Sequence, residues 1–207
     1  MLKPGRGWDS VWERIFSDRE WGCYPEIPVV RFIANNFYNL THKNRSKIKI
    51  LDLGCGIGAH TWYLAREGFS VYGIDGSKTA VKLTRKRLAE ENLKAQITVG
   101  DMIRLPYNSN FFDAVIDSSA IQHNHLKSIK RIIKELHRVL NFKGKLFSVL
   151  VCHDEHLKKD FGKIHYFAKT EIPELFSKFS KLIINYNEFT RGTDHNFHKS
   201  WLVEADK

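Results

Sequence analysis

The chain has 207 residues, enough to bury one genuine hydrophobic core and too few for a second large domain. Hydrophobic residues make up 43% and charged residues 27%, an ordinary globular balance that excludes a disordered or low-complexity chain. The formal charge of +10 suits nucleic acid, an anionic membrane or an anionic small molecule, but the basic residues are scattered over stretches that read as solvated helix faces and loops, which favours a plain soluble surface. Cys23, Cys55 and Cys152 show no CxxC spacing, so neither a disulfide framework nor a zinc site is expected, and a reducing compartment fits better. The first ten residues carry no apolar leader and no run approaches the roughly 20 apolar residues of a membrane span, so a cytoplasmic protein is expected.

Trp8, Val11, Trp12, Ile15 and Phe16 fall at helical spacing, and residues 27–37 carry a second apolar run after Pro25. Two short helices are predicted, forming an N-terminal helical cap over residues 1–45. The polar stretch 41–47 reads as a linker to one compact unit, residues 46–207. Residues 48–53 read as a strand, 59–67 as a helix ending at Gly68, and 70–74 as a strand, which is a βαβ unit. A charged helix over 78–92 and strands over 96–99 and 113–117 follow. Residues 126–140 give the clearest helix, with Ile129, Ile132, Ile133, Leu136 and Leu140 on one face and a basic opposite face. Gly144 marks a turn into a buried strand over 145–151. Ile172, Leu175, Phe176 and Phe179 predict a last helix, and strands over 181–189 and 198–205 are joined by the turn 190–197, too short for a parallel crossover. The fold class is therefore α/β: a doubly wound, Rossmann-like sheet, mostly parallel, with an antiparallel strand at the end.

Gly54, Gly56 and Gly58 follow the first buried strand and open a helix, where backbone passes close to a ligand and a Cβ would obstruct it. The loop alone admits two cofactor classes. Gly54, Gly56 and Ala59 satisfy the dinucleotide pattern GxGxx(G/A), and Asp75 ends the second strand where an acid binds ribose hydroxyls. Asp52 argues the other way: just before the loop, its carboxylate is expected to face the crevice, hold a ligand ammonium directly or through water, and repel a pyrophosphate. Asp101, after the third strand, is placed to accept an adenine amino group while the Met102 backbone addresses the ring.

An acid before GxGxG, acids after the second and third strands and a C-terminal hairpin together resemble the class I S-adenosylmethionine (SAM)-dependent methyltransferases, over residues 48–207. The resemblance implies a seven-stranded sheet. It also implies that Asp52 and the glycine loop hold the methionine part of SAM, Asp75 with Gly76 the ribose, and Asp101 with Met102 the adenine; Ser118 joins them after the fourth strand. The cap segment, with Trp8, Trp12, Trp21 and Tyr24, resembles the N-terminal lid of thiopurine methyltransferases. Trp8 and Tyr24 are assigned to the cofactor, because an aromatic face attracts a sulfonium, and Trp12 and Trp21 to the acceptor.

Methyl transfer needs alignment and, for some acceptors, removal of a proton. In the stretch 117–125, His123 is the candidate general base, because imidazole titrates near neutrality. Arg191, His195 and Lys199 are expected near a carboxylate or phosphate of an anionic acceptor. His153, Asp154, Glu155 and His156 form a second polar cluster, read as a solvated loop; no metal is expected. The expected activity is methylation of oxygen, nitrogen or sulfur on a small molecule, with S-adenosylhomocysteine (SAH) as product. Methylation of tRNA or rRNA, a nicotinamide oxidoreductase and a non-catalytic SAM-binding protein are the alternatives.

Overall fold

Spacing of apolar residues switches between every second and every third or fourth position along the chain, and strands and helices alternate accordingly. The structure, a computed structural model, describes residues 9–19, 22–152, 164–191 and 196–207, without the side chains of residues 190, 191, 196 and 197. Strands β1 (Lys49–Leu53), β2 (Ser70–Asp75), β3 (Gln96–Val99), β4 (Phe112–Ser118), β5 (Leu140–Val151), β6 (Lys181–Arg191) and β7 (Asn196–Asp206) form one sheet in the order β3-β2-β1-β4-β5-β7-β6. Only β7 runs antiparallel to its neighbours. The predicted architecture is the one observed.

The helices are α1 (Val11–Asp18), α2 (Ile27–Phe37), α3 (His42–Arg45), α4 (Ala59–Arg66), α5 (Lys78–Glu90), α6 (Leu126–Val139) and α7 (Ile172–Leu175). Strand residues alternate between two cores. Leu51, Leu53, Ile74, Val115, Leu146 and Leu150 pack with Ile129, Ile132, Ile133 and Leu136 of α6. Ile50, Val71, Ala114, Ile116 and Phe147 pack with Leu64 of α4 and with Val29, Phe32, Ile33 and Phe37 of α2. Phe32 stacks on Phe147 with ring centroids 4.9 Å apart. Each of these buried α2 side chains contributes about 1.5–3 kcal/mol, so α2 is one of the layers of the sheet domain.

Several boundaries differ from the sequence expectation. The stretch read as a linker contains α3, held where Arg45 pairs with Glu67 and donates from Nε to the Leu40 carbonyl. β5 begins at Leu140, because Leu140 still pairs with Phe112 before the register shifts to Lys145 beside Ala114; residues 141–144 bulge out of the ladder. α7 stops at Leu175, and the turns after it carry Phe176 and Phe179 into the core. β6 and β7 run further than their apolar residues do, since main-chain pairing in a hairpin needs no apolar side chain. β5 ends with Val151 beside Ser200, whereas the β6–β7 ladder continues from Glu188↔Lys199 to Arg191↔Asn196. The hairpin therefore overhangs the carboxyl edge of β5 by about 13 Å at the usual rise per residue. Among the described residues, no helix is long and apolar enough to cross a membrane.

Candidate active site

β1 and β4 lie side by side, but the chain leaves them toward opposite edges of the sheet, which opens a crevice at their carboxyl ends. The glycine loop follows β1 and the segment from Ser118 to His125 follows β4. Gly54, Gly56 and Gly58 all have positive φ, at 66°, 53° and 84°. The two loops touch: a Cβ on Gly54 would lie 2.4 Å from the Ala120 Cβ. Gly56 N–H donates to Asp75 Oδ2 at 2.9 Å, and the Phe16 ring of α1 lies over it. Gly58 is required for another reason, since a Cβ there would meet Thr84 of α5 at 2.6 Å; it packs two helices together and does not line the cavity.

A cavity of about 680 Å³ extends from this loop to the overhanging hairpin. At its loop end it is lined by Gly54, Gly56, Asp75, Gly76, Met102 and Ser118, and Trp12, Tyr24 and His123 line it further along. Nine of the residues singled out in the sequence thus meet in one space. Each Asp75 oxygen accepts one backbone N–H, Oδ1 from Ser77 and Oδ2 from Gly56, which leaves each a further lone pair. Burial raises the Asp75 pKa, those hydrogen bonds oppose the rise, and Asp52 adds to it.

Asp52 and Asp101 are placed differently from the expectation. Asp52 is buried beneath the loop, outside the cavity lining, and its Oδ2 accepts the Thr61 hydroxyl at 2.7 Å. Burial raises its pKa, opposed by the neighbouring His60 and by the Thr61 hydrogen bonds. Asp101 also lies off the lining, where Oδ1 accepts Ile103 N–H and shapes the turn that presents Met102. Both positions follow from packing of α4 and of the 101–104 turn, which spacing to the glycine loop does not encode. Trp8, Trp21 and His195, the side chain of Arg191 and the cluster from His153 to His156 lie outside the described residues.

The loop after β4 is mounted at several points. Asp117 Oδ1 accepts Ala120 N–H and Ile121 N–H, Gln122 Oε1 accepts Val151 N–H, and Asn124 Nδ2 donates to the Ile121 carbonyl. These fix a single 3-10 turn, Ile121–His123, and Ser119 before it takes a strained φ of 61°. His123 packs edge-on against Trp12, with ring centroids 4.6 Å apart. Burial lowers its pKa to about 4, against a small opposing pull from Asp9, so the imidazole is neutral at physiological pH.

The cap is tied down at two points. Glu13 Oε1 accepts both Thr79 N–H and the Thr79 hydroxyl at the start of α5, and Glu26 N–H donates to His60 Nε2 at 3.1 Å. Sequence reasoning did not single out Glu13, His60 or Asn124, nor the hairpin residues Asn187, Phe189, His198 and Ser200 that line the far end of the cavity. Glu13, His60 and Asn124 carry no motif of their own. The hairpin residues become visible only once strand register is known.

A family model described as a methyltransferase domain matches residues 50–144, from β1 through the glycine loop into β5. Human EEF1A lysine methyltransferase 2 is 30% identical over 169 residues, covering 75% of this chain and 71% of that protein. Demethylmenaquinone methyltransferase of Thermotoga maritima is 30% identical over 135 residues, covering 64% of this chain and 56% of that protein. This chain spans between 47% and 56% of the length of several curated relatives it matches. Magnesium protoporphyrin IX methyltransferase of Synechocystis, solved with bound SAM, superposes with a TM-score of 0.63 at 17% identity, over 94% of this chain and 79% of that one, a likeness of fold. With motif order, sheet topology and relatives in agreement, the chain belongs to the class I SAM-dependent methyltransferases.

Proposed function

We propose that this chain transfers a methyl group from SAM to an oxygen, nitrogen or sulfur nucleophile of a small-molecule acceptor. The observation that carries this reading is the continuity of one cavity from the glycine loop to the hairpin, which gives donor and acceptor a shared chamber partly roofed by the cap. SAM, when bound, supplies an electrophilic methyl group on a sulfonium sulfur. The residues fit it. Gly54 and Gly56 leave backbone open to the methionine part, Asp75 retains lone pairs for a ribose diol, and Met102 sits beside the loop for the adenine. The carboxylic groups of Asp52 and Asp117, buried, and of Asp75, half-buried, lie at or one residue before the ends of three neighbouring strands, β1, β4 and β2, and any charge they carry favours a cation above them.

His123 accepts a hydrogen bond from the O–H, N–H or S–H of the acceptor and holds its lone pair toward the methyl carbon. SAM would supply the methyl group and keep the carbon–sulfur electron pair on its sulfur as SAH, the acceptor atom would form the new bond with its own electron pair, and His123 would pass the acceptor's proton to solvent. Because burial strips His123 of much of its basicity, alignment outweighs proton removal in its contribution. The Thermotoga relative is named for a small-molecule acceptor and the human one for a protein lysine. The partly roofed chamber favours the former class for this chain.

The test is SAH release from SAM with a panel of small oxygen, nitrogen and sulfur nucleophiles. Turnover with at least one of them is expected. Release that requires tRNA, and that falls by orders of magnitude between about 50 and 200 mM salt, would instead establish an RNA acceptor.

A further inference from the structure

On the sheet face that carries α2, side chains of the last three strands line up in register. Val151 of β5 lies beside Ser200 of β7, and Ser200 beside Asn187 of β6; one step further out, on the overhang, Phe189 pairs with His198. Val149, Val151 and Ile164 give this end of the cavity an apolar floor. Phe189 and His198 stack with ring centroids 5.4 Å apart and planes inclined by 21°. Trp12 and His123 supply a second ring pair in the same cavity.

Charge in this chamber does not favour an anion. Lys199 is among the lining residues, but its side chain leaves the hairpin on the face opposite Phe189, with Nζ 4.8 Å from the centroid of the Tyr186 ring. Arg19 lines the rim and already interacts within the chain, and the rim also carries Asp9 and Glu26. The polar lining residues of β6 and β7 on the Phe189 side include the neutral Asn187 and Ser200.

We propose that the acceptor is a flat, uncharged aromatic molecule, a phenol or a hydroxylated or amino heterocycle, whose ring packs against Phe189 while its nucleophilic atom turns toward His123. Aromatic rings prefer such offset or edge contacts, and an apolar cleft with a few neutral polar groups suits a ring bearing one or two substituents. The assignment rests on the methyl-transfer reading for its chemistry and on the hairpin alone for its shape.

Naphthol, naphthoate and cyclohexanol titrated into the 207-residue chain, with and without saturating SAH, test it. Saturable naphthol binding is expected, about tenfold tighter than that of either other probe. Phe189→Ala should weaken it about tenfold and Phe189→Tyr much less, with SAH affinity unchanged in both. Phe189 is 44% exposed, so neither substitution opens the core. Absence of saturable naphthol binding, equal binding of cyclohexanol, tighter binding of naphthoate, or indifference to Phe189→Ala would each overturn the proposal. Failure of the wild-type chain to bind SAH would overturn the methyl-transfer reading, while ring-dependent naphthol binding without SAH would leave the chamber assignment standing.

Discussion

At the scale of single residues, Asp117 and His123 dominate the pH behaviour. Asp117 is fully buried, one oxygen capping the turn after β4 and the other without a formed hydrogen bond. Burial raises its pKa to about 7, offset in part by the hydrogen bonds from the N–H groups of Ile121 and Ala120. The unfolded chain loses this proton near pH 4 and the folded chain near 7, so stability falls as pH rises between them, by a total on the order of 4 kcal/mol. Asp117→Asn keeps the cap acceptor and removes the ionisation. It should raise Tm at pH 8 and change it little at pH 4; destabilisation at pH 8 would show that the ionised form is the one the fold uses. His123 has the opposite sense, taking up a proton in the unfolded chain near 6.5 and in the folded chain only near 4. Its protonation should therefore leave no limb in the kcat profile between pH 5 and 8, and His123→Ala should lower kcat by about a hundredfold at most, the modest end of acid–base contributions. Gly54→Ala combines a left-handed φ with a Cβ driven into Ala120, and calorimetry should show SAH affinity reduced by tenfold or more.

At the scale of elements, the two cap helices have different jobs. α2 buries Val29, Phe32, Ile33 and Phe37 in the core, whereas α1 faces the cavity and is held by Glu13 on Thr79. Burial works to raise the Glu13 pKa, but hydrogen bonds from Ser77, Thr79 and Lys78 outweigh it and the net shift is downward. Removing residues 1–19 should leave the sheet folded by circular dichroism and weaken SAH binding, while removal through residue 40 should unfold the chain. Equal stability of the two truncations would show that α2 contributes nothing to the core. This division was only half legible in the sequence. Helical spacing of Trp12, Ile15 and Phe16 locates α1, but an apolar stripe does not say whether it meets a sheet or a ligand. That Gly54, Gly56, Asp75, Met102 and Ser118 meet at one crevice was legible because strand ends converge there. Asp52 and Asp101 were not, because where a carboxylate points depends on local partners, here Thr61 and Ile103 N–H. Phe189 and Asn187 were hidden in the register of a hairpin that outruns its apolar pattern.

At the scale of the whole molecule, the order β3-β2-β1-β4-β5-β7-β6 and the direction of the strands place the glycine loop and the overhanging hairpin on one cavity at the same end of the sheet. The alternation of strands and helices made a mostly parallel, doubly wound sheet readable in advance, and the short link between the last two strands identified the antiparallel one. The net charge of +10 is not concentrated in this cavity, whose lining carries Asp9, Glu26 and Asp75 against Arg19 and Lys199. Binding of a neutral acceptor should accordingly vary little with salt, whereas contacts to nucleic-acid phosphates would make it fall steeply. A crevice of this kind binds SAM and not a dinucleotide. Isothermal titration of the chain with SAM and with NAD tests it most directly: saturable binding of SAM with none of NAD is the predicted result, and saturable NAD binding with no heat from SAM would contradict it.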